Sequence, residues 1–133
     1  MNRKNVFRQV CQNAMGMTRK AMAENDFGDP VCSYRSPFGP CLIGSLIKDE
    51  HYHEDVEMNG VEEEVVIEAL KLSGVNILKK IDLEILNEIQ EAHDCISNDA
   101  RGNDFKTDLR YNLMSVANKY SIPFPAFYKS IKQ

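Results

Sequence analysis

Side chains that can carry chemistry are concentrated between residues 32 and 53. Two thiols and two imidazoles there have the spacing Cys-x8-Cys-x9-His-x-His, at Cys32, Cys41, His51 and His53. Thiolate and imidazole are zinc ligands, but zinc sites usually have only about two to four residues between paired cysteines. We therefore expect no metal and no cofactor, and structural zinc at these four residues is the alternative.

The same cysteines offer a second chemistry, nucleophilic catalysis. Cys32 or Cys41 can act as the nucleophile if His93 is its base. Asp94 or Asp49 would then orient the imidazole. A histidine on the apolar face of a helix is more often a core residue, however, and side chains adjacent in a helix point about 100° apart. We therefore expect no catalytic residue.

Arginine, tyrosine and amide side chains indicate a ligand pocket as a third possibility. Arginine binds phosphate or carboxylate through two parallel hydrogen bonds, and aromatic rings stack on bases. If this segment folds back on the helix that carries His93, the expected ligand-binding residues are Tyr34, Arg35, Asp49, Tyr52, Gln90 and His93. In the alternative interpretation, Arg35 pairs with Asp49 or Asp94 as a structural tie, and the tyrosines fill space.

Four amphipathic helices are predicted to position these residues. Apolar residues recur at helical spacing, which predicts helices at residues 6–22, 61–72, 82–97 and 104–120. Two prolines and a glycine within residues 36–40 predict a small β-hairpin, or paired extended arms, over residues 31–43. The fold class is therefore mainly α (α+β), with about four amphipathic helices and one small β-hairpin. The aromatic, proline-containing tail from Ile122 to Tyr128 is expected to dock on the core.

Length and composition predict a single globular domain over residues 1–133. Apolar residue types make up 43% of the chain, as in ordinary globular proteins. No run approaches the ~18 consecutive apolar residues of a membrane helix, and the first residues lack the apolar core of a signal peptide. We therefore expect a cytoplasmic protein with reduced thiols and no membrane partner.

Charge is distributed unevenly along the chain, whose net charge is −4. Residues 1–20 carry a charge of +5, residues 21–100 a charge of −13 and residues 101–133 a charge of +4. Such an asymmetry can steer a charged partner and leaves a homodimer open, or it can simply reflect solvated helix faces. No helix carries the several base-reading residues of a recognition helix, so we expect no nucleic-acid partner.

A longer pattern runs from residue 32 to residue 94. It reads Cys-x-Tyr-Arg, a glycine-containing turn, Cys-x-x-Gly-x-Leu-Ile-x-Asp-x-x-Tyr and a later Gln-x-x-His-Asp, at Cys32, Tyr34, Arg35, Gly39, Cys41, Gly44, Leu46, Ile47, Asp49, Tyr52, Gln90, His93 and Asp94. This pattern resembles that of a family of small uncharacterised phage and bacterial proteins, for which no activity is established. Lys48 stands where those proteins often have proline, and His51 and His53 are not part of the pattern.

The resemblance implies a phage origin and a fold in which this segment meets the third predicted helix. By analogy with small phage proteins, we expect a binding protein without catalytic activity. It would be an accessory factor that binds a host protein and modulates or inhibits a host process such as anti-phage defence (counter-defence). The alternative is a protein that binds a nucleotide-like small molecule, or a Cys/His-dependent enzyme, with its site at Cys32–Tyr52 packed against His93.

Overall fold

The structure is a computed structural model and describes residues 1–129. In that range the chain forms four α-helices and one antiparallel hairpin, which confirms the predicted mainly-α class. In chain order the elements are α1 (Arg3–Ala14), β1 (Met22–Glu24), β2 (Pro30–Cys32), α2 (Glu64–Leu72), α3 (Lys80–Asp94) and α4 (Gly102–Tyr120). Short 3-10 helices lie at Gly44–Leu46, Asp49–His51, Glu54–Val56 and Ala126–Tyr128. Within residues 1–129, no helix combines the length and the apolar character needed to cross a membrane.

The hairpin lies earlier in the chain than predicted. Strand β1 pairs with β2 and residues 25–29 form the turn. The predicted position over residues 31–43 was therefore wrong for the two-stranded hairpin, and that segment contains an isolated antiparallel bridge between Ser36 and Gly39. The Asn25 side chain accepts hydrogen bonds from two backbone N–H groups inside the turn, at 2.9 and 3.0 Å. Gly28 has a φ of 80°, a conformation open to glycine without steric cost. This asparagine–glycine turn, rather than the proline-rich segment, therefore closes the hairpin.

Helix α1 is correspondingly shorter than predicted. It ends at Ala14, whereas the apolar periodicity predicts an end near Met22. Gly16, a poor helix former, follows the last turn. The chain then runs into β1, where Met22 lies opposite Cys32. The helical spacing of apolar residues continues past Ala14, at Met17 and Ala21, although the helix does not.

The loop between β2 and α2 and the tail are both packed against the helices. Helices α3 and α4 contact each other, and α1 contacts α4. Leu42 and Ile43 of the loop are completely buried. The tail docks on the core as expected, because Tyr128 is buried and its ring stacks on Phe124 with centroids 5.5 Å apart. Phe7 of α1 packs on the same Phe124 ring.

Candidate functional site

The six expected ligand-binding residues fall into two groups in the structure. The loop between β2 and α2 holds one group, which consists of Arg35, Asp49 and Tyr52. The second group lies at and beside a cavity next to α3 and consists of Tyr34, Gln90 and His93. The two groups therefore form two separate candidate sites.

The Arg35 guanidinium is occupied by its own loop. One terminal nitrogen donates to the carbonyl of Gly44 at 2.7 Å. The other donates to the carbonyl of Ile47 at 2.7 Å and to the Asp49 carboxylate at 3.0 Å. The Tyr52 ring covers the group, with its centroid 4.7 Å from Cζ. Since both terminal nitrogens are used, Arg35 acts as a tie within the loop, and its pairing partner is Asp49.

Gly44 and Gln90 fix this loop to its neighbours. A Cβ at position 44 would overlap the backbone carbonyl of Tyr34, so only glycine permits this close approach. The side-chain oxygen of Gln90 accepts from the Ile43 N–H at 3.1 Å, and its amide donates to Asp94 at 2.7 Å. Gln90 therefore connects the loop to α3 as well as lining the cavity.

Glu57 is a residue of this region that sequence reasoning missed. One carboxylate oxygen accepts from the Ser33 hydroxyl at 3.0 Å and from the Tyr34 N–H at 2.9 Å. The other accepts from the Arg35 N–H at 3.2 Å and from the Tyr52 hydroxyl at 2.5 Å. Burial and this carboxylate together raise the pKa of Tyr52 to about 12. In the sequence, Glu57 differs from the other acidic residues of this loop only in lying between two apolar residues, Val56 and Met58.

A cavity of about 480 Å³ lies between the chain following β2 and helix α3. Three carboxylates and several amides face it, and within residues 1–129 no lysine or arginine lines it. The lining residues that matter for its chemistry are Cys32, Tyr34, Glu62, Gln90, Glu91 and Asp94. The cavity is therefore polar and acidic.

His93 is completely buried beside this cavity, and its partners set its tautomer. Its Nε2 accepts a hydrogen bond from the Ala21 N–H at 3.1 Å, so this nitrogen carries no proton. Its Nδ1 donates to Asp94 Oδ1 at 2.8 Å. The expectation that the two adjacent side chains point apart was wrong. Asp94 is the last residue of α3, where no following helical turn restricts its side chain.

The Cys32 thiol lies close to this pair but is not activated by it. Burial and the nearby negative charge of Asp94 raise the pKa of Cys32 to about 11. Burial raises the pKa of Cys41 to about 12. Thiolate is the nucleophilic form, and the unprotonated nitrogen of His93 is already occupied by Ala21. The arrangement therefore favours neutral thiols at physiological pH.

Cys32, His93 and Asp94 also place three metal-ligand atoms within 4.8 Å of one another. Both imidazole nitrogens are already hydrogen-bonded, however, so a metal would have to displace one of these bonds. The zinc pattern of the sequence does not converge within the described chain, because His51 and His53 line a different surface groove beside α2. The donor set therefore fits a hydrogen-bonded core cluster better than a metal centre.

Because of Asp94, the free energy of unfolding should decrease as the pH is lowered into the acid range. Burial raises the pKa of the Asp94 carboxyl, but hydrogen bonds from His93 and Gln90 outweigh burial and hold the pKa below its ordinary value of 3.8. Such a carboxyl stabilises the fold above its unfolded pKa, and the contribution is lost as pH falls through the folded pKa. We expect Asp94→Asn to lower the free energy of unfolding by about 1–3 kcal/mol at neutral pH, and by less in acid below 3.8.

Urea unfolding of the two proteins at neutral and acid pH measures this difference. Asp99→Asn, in the exposed turn after α3, is the matched control and should change neither value. An Asp94→Asn effect of equal size at both pH values would contradict the assigned role of the carboxylate.

Two exposed apolar side chains lie beside the cavity. Phe27 in the hairpin turn is 88% exposed and Met58 is 73% exposed, and both line a groove that shares part of its wall with the cavity. Met58 has a φ of 66°, which is uncommon for a residue other than glycine. The Asn59 amide holds this turn by donating to the carbonyls of Asp55 at 2.6 Å and Glu57 at 3.3 Å. Strained backbone of this kind concentrates at functional sites.

No protein-family model, curated protein or solved structure matches this chain. The geometry of these sites is therefore the structural basis for a proposed function.

Proposed function

We propose that this protein is a non-catalytic binding protein, a phage-derived accessory factor that binds a host protein and so modulates or inhibits a host process such as anti-phage defence. The phage origin and the host process rest on the resemblance of its sequence pattern to small phage and bacterial proteins. The observation that carries the binding function is the pair of exposed apolar side chains, Phe27 and Met58, beside an acidic cavity. These two residues, with Glu62, Glu91 and Asp94 of the cavity, are called the docking face.

The apolar part of the docking face favours contact with a protein. Burying a large apolar side chain contributes about 1.5–3 kcal/mol, and aromatic residues and methionine are enriched in interfaces. Phe27 belongs to a turn held by the Asn25 side chain, and Met58 belongs to a turn held by the Asn59 side chain. Preformed turns lose less conformational entropy on binding, which supports their use as anchors.

The charge of the docking face indicates a basic partner segment. Glu62, Glu91 and Asp94 line the cavity, and Glu24 and Asp26 line the adjoining groove. In the part of the chain that the structure describes, neither wall contains a lysine or arginine. A segment that offers a lysine or arginine beside an apolar side chain would complement both the cavity and its apolar rim.

Photo-crosslinking in bacterial cells tests this function. We expect a photoreactive amino acid at position 27 or 58 to crosslink to the same host protein. The same amino acid at position 78 or 111 should give no such product, although Leu78 and Tyr111 are both 70% exposed. Replacing Phe27 and Met58 together by serine should weaken binding of that host protein about a hundredfold or more, as expected for two interface anchors.

Equal crosslinking at all four positions would contradict a specific docking face. Crosslinks between copies of the chain would contradict a host partner and identify a homodimer instead. A Phe27 and Met58 double variant that retains full affinity would also contradict the proposal.

The cavity supports a second candidate, the binding of a small molecule. Its volume of about 480 Å³ lies in the range of small-molecule sites, and its wall carries the hydrogen-bonding groups of Gln90 and Tyr34. Its acidic lining favours a ligand rich in hydrogen-bond donors, and the protonated Cys32 favours binding over catalysis. The mass of the protein purified from cells, measured under native conditions, tests this candidate: a bound mass that is removed by Asn87→Leu, in the exposed part of the cavity wall, would support it.

A further inference from the structure

The end of α1 and the start of α4 meet at a junction that carries three cations. The Gly102 N–H donates to the carbonyl of Thr18 at 2.9 Å. This bond brings Arg101, which precedes Gly102, next to Arg19, which follows Thr18. One turn further along α4, the Lys106 ammonium donates at 2.6 Å to a backbone carbonyl just after α1. We call Arg19, Arg101 and Lys106 the junction cations.

The surrounding structure holds the two guanidinium groups in place. Arg19 is stacked on the Phe38 ring, with Cζ 3.3 Å from the centroid. Arg101 donates to the carbonyls of Asn98 at 2.6 Å and Ala100 at 2.9 Å. Burial and the charge of Arg101 lower the pKa of Arg19, as expected for like charges held close together.

No acidic side chain neutralises this charge within the described residues. None of the junction cations has a carboxylate within 4.0 Å, and the Nε of Arg19 has no hydrogen-bond partner there. The acidic residues nearest to Arg101 and Lys106 in sequence are Asp99, Asp104 and Asp108, which are exposed and form no ion pair with the junction cations. The repulsion between two fixed guanidinium groups is relieved if an anion binds between them.

We infer that this junction binds a phosphate group through Arg19 and Arg101, with Lys106 adding a third positive charge. Guanidinium groups match phosphate geometry because they donate two parallel hydrogen bonds to its oxygens. Stacking on Phe38 already fixes the plane of Arg19, which reduces the entropy lost on binding. Inorganic phosphate and the phosphate of a nucleotide share this chemistry. The site is independent of the docking face, since it has the opposite charge and shares no residue with it.

Nuclear magnetic resonance of the arginine side chains tests the site in the full chain. Inorganic phosphate and adenosine monophosphate are titrated separately at constant ionic strength, with chloride as the reference anion. We expect saturable shifts of the Nε–H signals of Arg19 and Arg101. Arg19→Gln and Arg101→Gln should each weaken binding about tenfold or more, since each removes charge-assisted hydrogen bonds.

Arg8→Gln is the matched control because it removes the same charge from a guanidinium that also stacks on a ring, that of Phe127 at 5.2 Å. Arg8→Gln should change the affinity for phosphate by less than about twofold, which is the change expected from the loss of a nonspecific electrostatic attraction. Shifts that do not saturate, or equal weakening by Arg8→Gln and Arg19→Gln, would overturn the site. Arg101→Gln, at an exposed position, keeps the test valid if Arg19→Gln fails to fold.

The two titrations also separate the sources of the phosphate. Equal affinities would support a site for the phosphate group alone, whereas tighter binding of the nucleotide would support a nucleotide ligand. Failure of both titrations would overturn the phosphate site and leave the crosslinking test of the docking face unaffected, because no residue is common to the two.

Discussion

Arg35→Ala should lower the free energy of unfolding by about 3–6 kcal/mol, because the two shortest charge-assisted hydrogen bonds of its guanidinium are lost at about 1.5–3 kcal/mol each. The carbonyls of Gly44 and Ile47 would lose their guanidinium donors, and the Tyr52 ring would lose its cationic partner. Urea unfolding followed by circular dichroism measures the change. Arg35→Lys should recover only part of it, since one ammonium cannot reproduce the two separate nitrogens of the fork.

Asp49→Ala is the matched control for this prediction. It removes the only charged partner of the Arg35 side chain among the described residues, but the Asp49 side chain is 98% exposed. Exposed ion pairs contribute little, so the expected change is within about 0.5 kcal/mol. If Asp49→Ala is as destabilising as Arg35→Ala, the backbone contacts are not what stabilises the loop. If Arg35→Ala leaves stability unchanged, Arg35 is not a structural tie, and the hypothesis that it binds a ligand gains support.

Glu57→Ala should destabilise the protein by a similar amount, about 3–5 kcal/mol. Its carboxylate accepts the backbone N–H groups of Tyr34 and Arg35 and the hydroxyls of Ser33 and Tyr52. Removing both oxygens leaves these donors without their acceptor in a partly buried position. Thermal and urea unfolding would measure the loss.

Glu57→Gln is the more discriminating variant. Each carboxylate oxygen accepts a backbone N–H, so either orientation of the glutamine amide places an NH2 group against one of these donors. We therefore expect Glu57→Gln to cost about 1–3 kcal/mol, although it preserves shape. Glu54→Gln removes the same charge from an exposed position of the same loop and should change stability by no more than about 0.5 kcal/mol. A Glu57→Gln variant as stable as Glu54→Gln would contradict the role assigned to this carboxylate.

Much of the helical part of the fold was predictable from the sequence. Leu86, Ile89 and His93 follow helical spacing, and all three are buried on α3. The first helix and the hairpin were less predictable, because three-residue strands are too short to show an alternating pattern. The position of the hairpin depends on the Asn25 turn, whose hydrogen bonds compete successfully with a continuing helical periodicity.

The candidate sites were only partly predictable, for a different reason. The residue types of Cys32 and His93 marked them as chemically capable, but their protonation follows from contacts with Asp94 and Ala21. The contact between Ala21 and His93, which are 72 residues apart, leaves no periodic signal in the sequence. The docking face depends likewise on the conformation of Met58, which a sequence pattern does not encode.

The sequence separation between hydrogen-bonded residues has a consequence for the order in which parts of the chain assemble. The bonds from Arg35 to Gly44 and Ile47 close loops of 9 and 12 residues, whereas the bond from Ala21 to His93 closes one of 72 residues. Closing a long loop costs more entropy and is slower than closing a short one. We therefore expect the loop from Arg35 to Ile47 to close locally and early during folding. The bond from Ala21 to His93 forms later, so the α3 wall of the cavity, with Glu91 and Asp94, meets the rest of the docking face in a late stage of folding.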